Sequence, residues 1–201
     1  MMFLGLDLSL TGTGIALIDD AGNLVYTKTC KNKLRDAPRL DYIRQEVDEA
    51  ICIGESLSPN LLTAIEGYAY GATGKAFEIG ELGGVIKHLL YVRGGRVHGQ
   101  DPYLIVTPQA VKKWATGMGR GGKVPVGVAL YKQFDLEFSD DNAADAYILA
   151  WIAKHYYTDI PEDMQTKYRD EVKHNLQVTN GTYVPKTASI PHGNERLKSR
   201  K

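Results

Sequence analysis

Three carboxylates stand where an apolar chain makes a carboxylate expensive. Asp7 lies inside LGLDLSLTGTGIALI, Glu66 closes LLTAIE, and Asp145 sits within DDNAADAYILAWIA. Burying one ionised carboxylate costs several kcal/mol unless something pairs with it. A chain that buries three gathers them around a positive charge, and the economical reading is a divalent-metal site for phosphodiester chemistry. Asp141 and Asp145 are spaced i,i+4, and Asn142 and Asp145 i,i+3, so either pair presents two oxygen donors from one helix face. Hard oxygen ligands suit Mg²⁺, with Mn²⁺ as a substitute. Two such ions roughly 4 Å apart activate a water and hold the leaving oxygen during in-line attack at phosphorus. Each residue also has a plainer role. Asp7 can serve a turn through Thr11 or Thr13, Glu66 can pair with a basic neighbour, and Asp140 or Asp141 can cap a helix.

Cationic and aromatic residues follow the acids. TPQAVKKWATGMGRGGKVPVGVALYKQF carries Lys112, Lys113, Arg120, Lys123 and Lys132 and no acidic residue. Lys123 opens a helix after a glycine-rich link, where a lysine can hold the scissile phosphate or neutralise charge in the transition state. Lys112 can act similarly; Lys113 and Arg120 suit phosphate contacts, the alternative being a solvated face. GYAYGATGKA leaves Glu66 directly. Tyr68 and Tyr70 can stack on unpaired bases or wedge a branch point, and Lys75 can meet a phosphate; tyrosines packing their own loop are the alternative.

These residues need a scaffold. Residues 2–8 alternate, with Phe3, Gly5 and Asp7 on one face and Leu4, Leu6 and Leu8 on the other. Strands at 15–19 and 24–30 follow across short turns, which requires an antiparallel meander. Leu40, Ile43, Val47 and Ile51 give a helix over 37–56, ended by Pro59 and Asn60. Strands at 61–66 and 103–107 alternate with helices at 75–92, 108–114, 123–134 and 141–155. The expected fold is α/β: one mixed five-stranded sheet with helices on both faces in a single domain over 1–157. Residues 158–201 read as a polar, partly basic extension whose end, NERLKSRK, is either a frayed tail or an arm that touches phosphates. If strand 61–66 is a crossover neighbour of strand 2–8, Asp7 and Glu66 stand roughly 5 Å apart on one face. Small Ala143, Ala144 and Ala146 let the last helix approach them. Gly80, Gly83 and Gly84 lie within 75–92, where each costs up to about 1 kcal/mol, and suit either a homodimer contact or close packing on the protein's own sheet.

The chain has 201 residues, 43% hydrophobic and 24% charged, with a formal net charge of zero. A nucleic-acid surface must therefore be local. Cys30 and Cys52 form neither a metal pattern nor a disulfide framework. No apolar run approaches membrane-spanning length, and the N-terminus lacks signal-peptide character, so a cytoplasmic location is expected.

GLDLSLTGTGIAL at 5–17, AIEGYAYG at 64–71, VTPQAVKKWATGMGRGGK at 106–123 and DDNAADAYILA at 140–150 together resemble the RuvC-type Holliday junction resolvases of the RNase H-like superfamily. The resemblance implies a Mg²⁺-dependent homodimer that grips branched DNA and cuts two strands symmetrically, leaving 5′-phosphate and 3′-hydroxyl ends. It places the family's catalytic acids on Asp7, Glu66 and Asp145 and its lysine on Lys123. Where the family has Asp or His three positions before the last aspartate, this chain has Asn142. Either Asp141 or the Asn142 amide oxygen then completes the ligand set. The long polar C-terminal part extends past the family's usual end. Phage members of the family look like general branched-DNA nucleases, acting on forks as well as four-way junctions, and the shape of this chain is similar to theirs. Competing expectations are a non-catalytic branched-DNA-binding protein and an RNase H-like nuclease acting on RNA–DNA hybrids. A sugar-kinase or actin-like ATPase would need a second phosphate-binding hairpin and a second domain.

Overall fold

Three strands open the chain: β1 (Met2–Asp7), β2 (Thr13–Asp19) and β3 (Leu24–Cys30). They form the expected antiparallel meander. The β2–β3 reversal is fixed by Asp19, whose carboxylate accepts from the Asn23 backbone N–H at 2.8 Å and its side-chain amide at 2.9 Å. Gly22 supplies the positive φ of 91° that this turn needs. The computed structural model describes residues 1–67, 75–94, 102–119, 123–138 and 140–180.

Helix α1 (Asp36–Leu57) then crosses over to β4 (Leu61–Glu66), and α2 (Ala76–Gly94) leads on to β5 (Tyr103–Val106). Both β1–β4 and β4–β5 pair in parallel, and the sheet order is β3-β2-β1-β4-β5. Helices α3 (Pro108–Thr116), α4 (Lys123–Phe134) and α5 (Asp141–Tyr157) follow. The result is the expected mixed five-stranded sheet with helices on both faces.

Strand alternation sorts the core into two layers. Phe3, Ala16, Ile18, Ala64, Leu104 and Val106 point to the face covered by α5, with α3, α4 and the last helix packed outside it. Leu4, Leu6, Ile15, Leu17 and Ile65 point to the face covered by α1 and α2. Helix α5 is buried at every position from Ala146 to Tyr156, as a helix that is apolar on all sides must be. Its approach to the sheet is close because β1 and β2 offer glycines beneath it. A Cβ on Gly5 would lie 1.9 Å from the Ala146 carbonyl oxygen, and one on Gly14 would lie 2.0 Å from that of Asn142.

The stretch beyond residue 157 holds more order than its weak periodicity suggests. A short 3₁₀ turn at Glu162–Met164 precedes α6 (Lys167–Asn180). Among the described side chains of α6, Val172 and Leu176 carry the apolar contacts to the core, and a third inward position is taken by Arg169. A guanidinium in place of an aliphatic side chain breaks the hydrophobic period that marks a helix in sequence. No helix among the described residues is long and apolar enough to cross a membrane.

Candidate active site

The register of the central strands creates the site. Gly5 pairs with Ala64 and Leu6 with Ile65 in parallel, so Asp7 and Glu66 leave the sheet side by side at the carboxyl ends of β1 and β4. Both belong to the α5 face, since they continue the alternation Phe3–Gly5–Asp7 and Leu62–Ala64–Glu66. Asp7 is only 6% exposed. Its side chain and that of Glu66 share a hydrogen bond. Two carboxyl groups in such an arrangement favour a neighbouring cation.

Helix α5 delivers the third acid. Gly14, the register partner of Asp7, lies under Asn142, and Gly5 lies under Ala146. Asp145, between those two helix positions, comes close enough for its charge to act on Glu66. Burial pushes the Glu66 carboxyl above its usual range, and the Asp145 charge raises it further. The hydrogen bond from Asp7 and the positive charge of Lys112 pull the other way. The structure thus sets Asp7 beside Glu66, with the charges of Asp145 and Lys112 acting on Glu66. Lys112 reaches the site because Val106, the register partner of Glu66, is followed almost at once by α3. Thr107 caps that helix by accepting from the Ala110 N–H, Pro108 occupies its first turn, and the Gly67 N–H donates to the Val106 carbonyl at 2.7 Å.

The start of α5 is anchored from the other edge of the sheet. Asp140 is the cap, accepting from the Asn142 N–H at 2.9 Å. Lys31, just after β3, holds the Asp140 carboxylate at 2.7 Å. The bond from Lys31, then the backbone N–H and the Thr29 hydroxyl, keep that carboxyl below its usual range. Asp140 is therefore committed to the helix end. The sequence reading allowed it as a cap but had no signal for Lys31, which is distant in sequence and lies outside any motif. Asp141 is exposed, whereas Asn142 is half-buried, its side-chain nitrogen 2.9 Å from where a Cβ on Gly12 would stand.

Other anticipated residues distribute differently. Lys113 pairs with Glu171 of α6 at 2.5 Å. Lys75 is exposed just before α2. Lys123 opens α4, but its side chain, like Arg120, Tyr68 and Tyr70, lies outside the described residues. Of the glycines inside α2, Gly83 is buried, while a Cβ on Gly80 or Gly84 would meet nothing within 4 Å.

Among the described residues, no group of three or more His, Cys, Asp or Glu side chains closes on one point as a metal site would. The donors themselves suit a hard divalent ion: they are carboxylate oxygens, Asp7 is deeply buried, and Glu66, whose pKa is raised by burial first and by the Asp145 charge after it, shares a hydrogen bond with Asp7.

The sheet order, the parallel central pair and the helices on both faces define the RNase H-like fold of the RuvC kind. Solved structures bear this out. T. thermophilus RuvC in complex with a Holliday junction substrate matches with a TM-score of 0.60 at 20% identity, covering 75% of this chain and 90% of that one. A second Thermus thermophilus RuvC structure matches with a TM-score of 0.59 at 18% identity, covering 90% and 98%. No protein-family model matches the chain, and no curated protein does. At such identities the likeness establishes the fold.

Proposed function

We propose that this protein is a Mg²⁺-dependent endonuclease that cuts branched DNA, four-way junctions above all, and leaves 5′-phosphate and 3′-hydroxyl ends. The observation that supports the reading is the Asp7–Glu66 pair at the carboxyl ends of the central parallel strands, with Asp145 of α5 and Lys112 of α3 near enough for their charges to act on Glu66. The similarity to a RuvC bound to a junction supports the choice of DNA substrate. Asp7, Glu66 and Asp145 would hold the metal, two ions per site, with Asn142 or Asp141 as the further donor. When bound, the ions would supply a nucleophilic water and a counter-charge for the leaving oxygen. The chain's own contribution is positional. Glycines 5 and 14 set the distance between α5 and the strands, and the Lys31–Asp140 pair fixes where α5 begins. Lys112 and Lys123 would balance charge on the phosphate, with Lys75, Lys113, Arg120, Tyr68 and Tyr70 extending the DNA contact. For Lys113 that contact requires exchange of Glu171 for a phosphate.

The protein would act as a cytoplasmic homodimer, placing two sites on strands related by two-fold symmetry. The outward face of α2 suits the contact: Phe77 is 90% exposed and Val92 65%, and the open glycines 80 and 84 lie between them. Ion pairs of Arg93 with Asp48 and Glu55, and of Arg39 with Glu78, link α2 to α1. The presence of Asn142 where a carboxylate would strengthen metal binding favours, as a second reading, a protein that binds branched DNA without cutting it.

Side-by-side incubation of synthetic four-way junctions, forks and RNA–DNA hybrids with Mg²⁺ or a chelator tests the proposal. Metal-dependent nicking of junctions and forks is expected. Preferential cutting of hybrids would favour an RNase H-like activity, and tight junction binding without cutting would favour the binding-only reading.

A further inference from the structure

Arg169 is 1% exposed, and its burial is answered by carbonyl acceptors. Its guanidinium ties three elements together. Nε donates to the Trp114 carbonyl at 3.1 Å, Nη1 to the Met164 carbonyl at 2.7 Å, and Nη2 to the side-chain oxygen of Gln133. The plane lies over the Trp114 ring, 4.1 Å from its centroid. Trp114 belongs to the last turn of α3, whose carbonyls have no partner within the helix, and a cation there is also favoured by the helix dipole. Gln133 belongs to the last turn of α4. Met164 ends the 3₁₀ turn before α6. One side chain of α6 therefore fixes the ends of both helices that carry the lysines of the proposed site.

The neighbours of Arg169 on α6 extend the attachment. Asp170 lies 3.6 Å from Nε2 of His155 on α5, whose Nδ1 accepts from the Trp114 indole N–H at 3.3 Å. Glu171 holds Lys113 on α3. Burying a guanidinium among carbonyls is costly where an aliphatic side chain would fill the same space. What the planar fork adds is a defined direction to each of three acceptors, and hence a defined angle between α3 and α4.

We propose that Arg169 is a positioning residue: by joining the C-terminal ends of α3 and α4 to α6, it sets where Lys112 and the start of α4 stand relative to the Asp7–Glu66 pair. In its bearing on DNA this rests on the nuclease reading above. It assigns residues 158–180 to the working domain and makes α6 part of the DNA-binding apparatus without itself touching DNA.

Two variants test it, Arg169→Lys, which cannot reach three acceptors at once, and Gln133→Ala, which removes only the α4 arm. Amide hydrogen exchange should quicken about tenfold or more in 108–116 and 123–134 for Arg169→Lys, and in 123–134 for Gln133→Ala, with α1 and α2 unchanged. Binding of a four-way junction in Ca²⁺, well below the melting temperature, should weaken about tenfold for Arg169→Lys. Its salt dependence should become shallower by about one phosphate contact. Combined with Lys112→Ala, the loss should be less than additive, because Arg169 acts through Lys112. Unchanged exchange in α3 and α4 overturns the proposal, as does a binding loss fully additive with Lys112→Ala. Should Arg169→Lys fail to fold, exchange in Gln133→Ala decides. Absence of junction binding by the unaltered protein would instead sink the nuclease reading, and exchange would still settle whether Arg169 holds the two helices.

Discussion

On one face of the sheet a single helix, α5, is buried on almost every side; on the other, α1 and α2 each bury one stripe and give the rest to water. The α5 face is dense with aromatic rings. Trp114 and Trp151 stack at 6.3 Å, and Phe134 meets Trp151 at 5.1 Å and Tyr147 edge-on at 5.2 Å. The α1–α2 face is aliphatic inside and held at its rim by ion pairs. A helix packed from all sides has no freedom to shift, which suits one that carries Asp145, whose charge acts on Glu66. A helix packed from one side keeps a face for a partner. Positioning and presentation are thus divided between the two sides of one sheet.

The largest expected effect lies on the α5 side. Asp7→Asn and Glu66→Gln should each lower cleavage by about a thousandfold or more while junction binding persists, read by single-turnover cleavage alongside a binding assay. Near-full activity in either would remove that residue from the site. Next comes the close approach of α5. Gly5→Ala puts a methyl 1.9 Å from a backbone oxygen that cannot move independently. It should destabilise the fold by about 3 kcal/mol or more in urea unfolding, or prevent folding.

His155 gives a prediction of intermediate size. Burial, with Lys173 and Arg169 nearby, depresses its pKa to about 4 from 6.5, while Asp170 and Asp159 only partly oppose this. The unfolded chain then binds a proton between those values that the folded chain does not. Stability contributed by the neutral imidazole is complete above about pH 6.5 and falls as pH drops towards 4. His155→Asn keeps an acceptor for the Trp114 indole without the titration. It should flatten the urea-midpoint profile over that window, and an unchanged profile would contradict the burial argument. On the opposite face the effects on the fold should be small. Phe77→Asp should change stability by less than about 0.5 kcal/mol yet dissociate the proposed dimer in sedimentation. Gly80→Ala should stabilise the isolated subunit by about 0.5–1 kcal/mol. A Phe77→Asp protein that stays dimeric would move the interface elsewhere.

The same contrast explains what could be read from sequence. Period-2 alternation in β1 and β4 placed Asp7 and Glu66 on one face because two apolar layers enforce it, and the alanines after Asn142 announced a close helix. The meander followed from turn chemistry at 20–23. Helix ends moved by a residue or two, since capping by Thr107 and Gly117 extends α3 to Thr116. Helix α6 was illegible because its inward face is carried by Arg169, whose partners are carbonyls that leave no mark in sequence. The Lys31–Asp140 anchor was hidden for a similar reason: nothing in either residue's neighbourhood names the other. The pairing of Lys113 with Glu171 shows the limit of reading a basic run as a DNA surface when the acid that answers it lies 58 residues on.

The central claim is that Asp7, Glu66 and Asp145 together bind the metal that cuts DNA. Calorimetric titration of Mn²⁺ into the protein bound to a junction with non-cleavable linkages tests it most directly. The account predicts saturable uptake by the unaltered protein that Asp7→Asn abolishes. No uptake by the unaltered protein, or equal uptake by the variant, would contradict it.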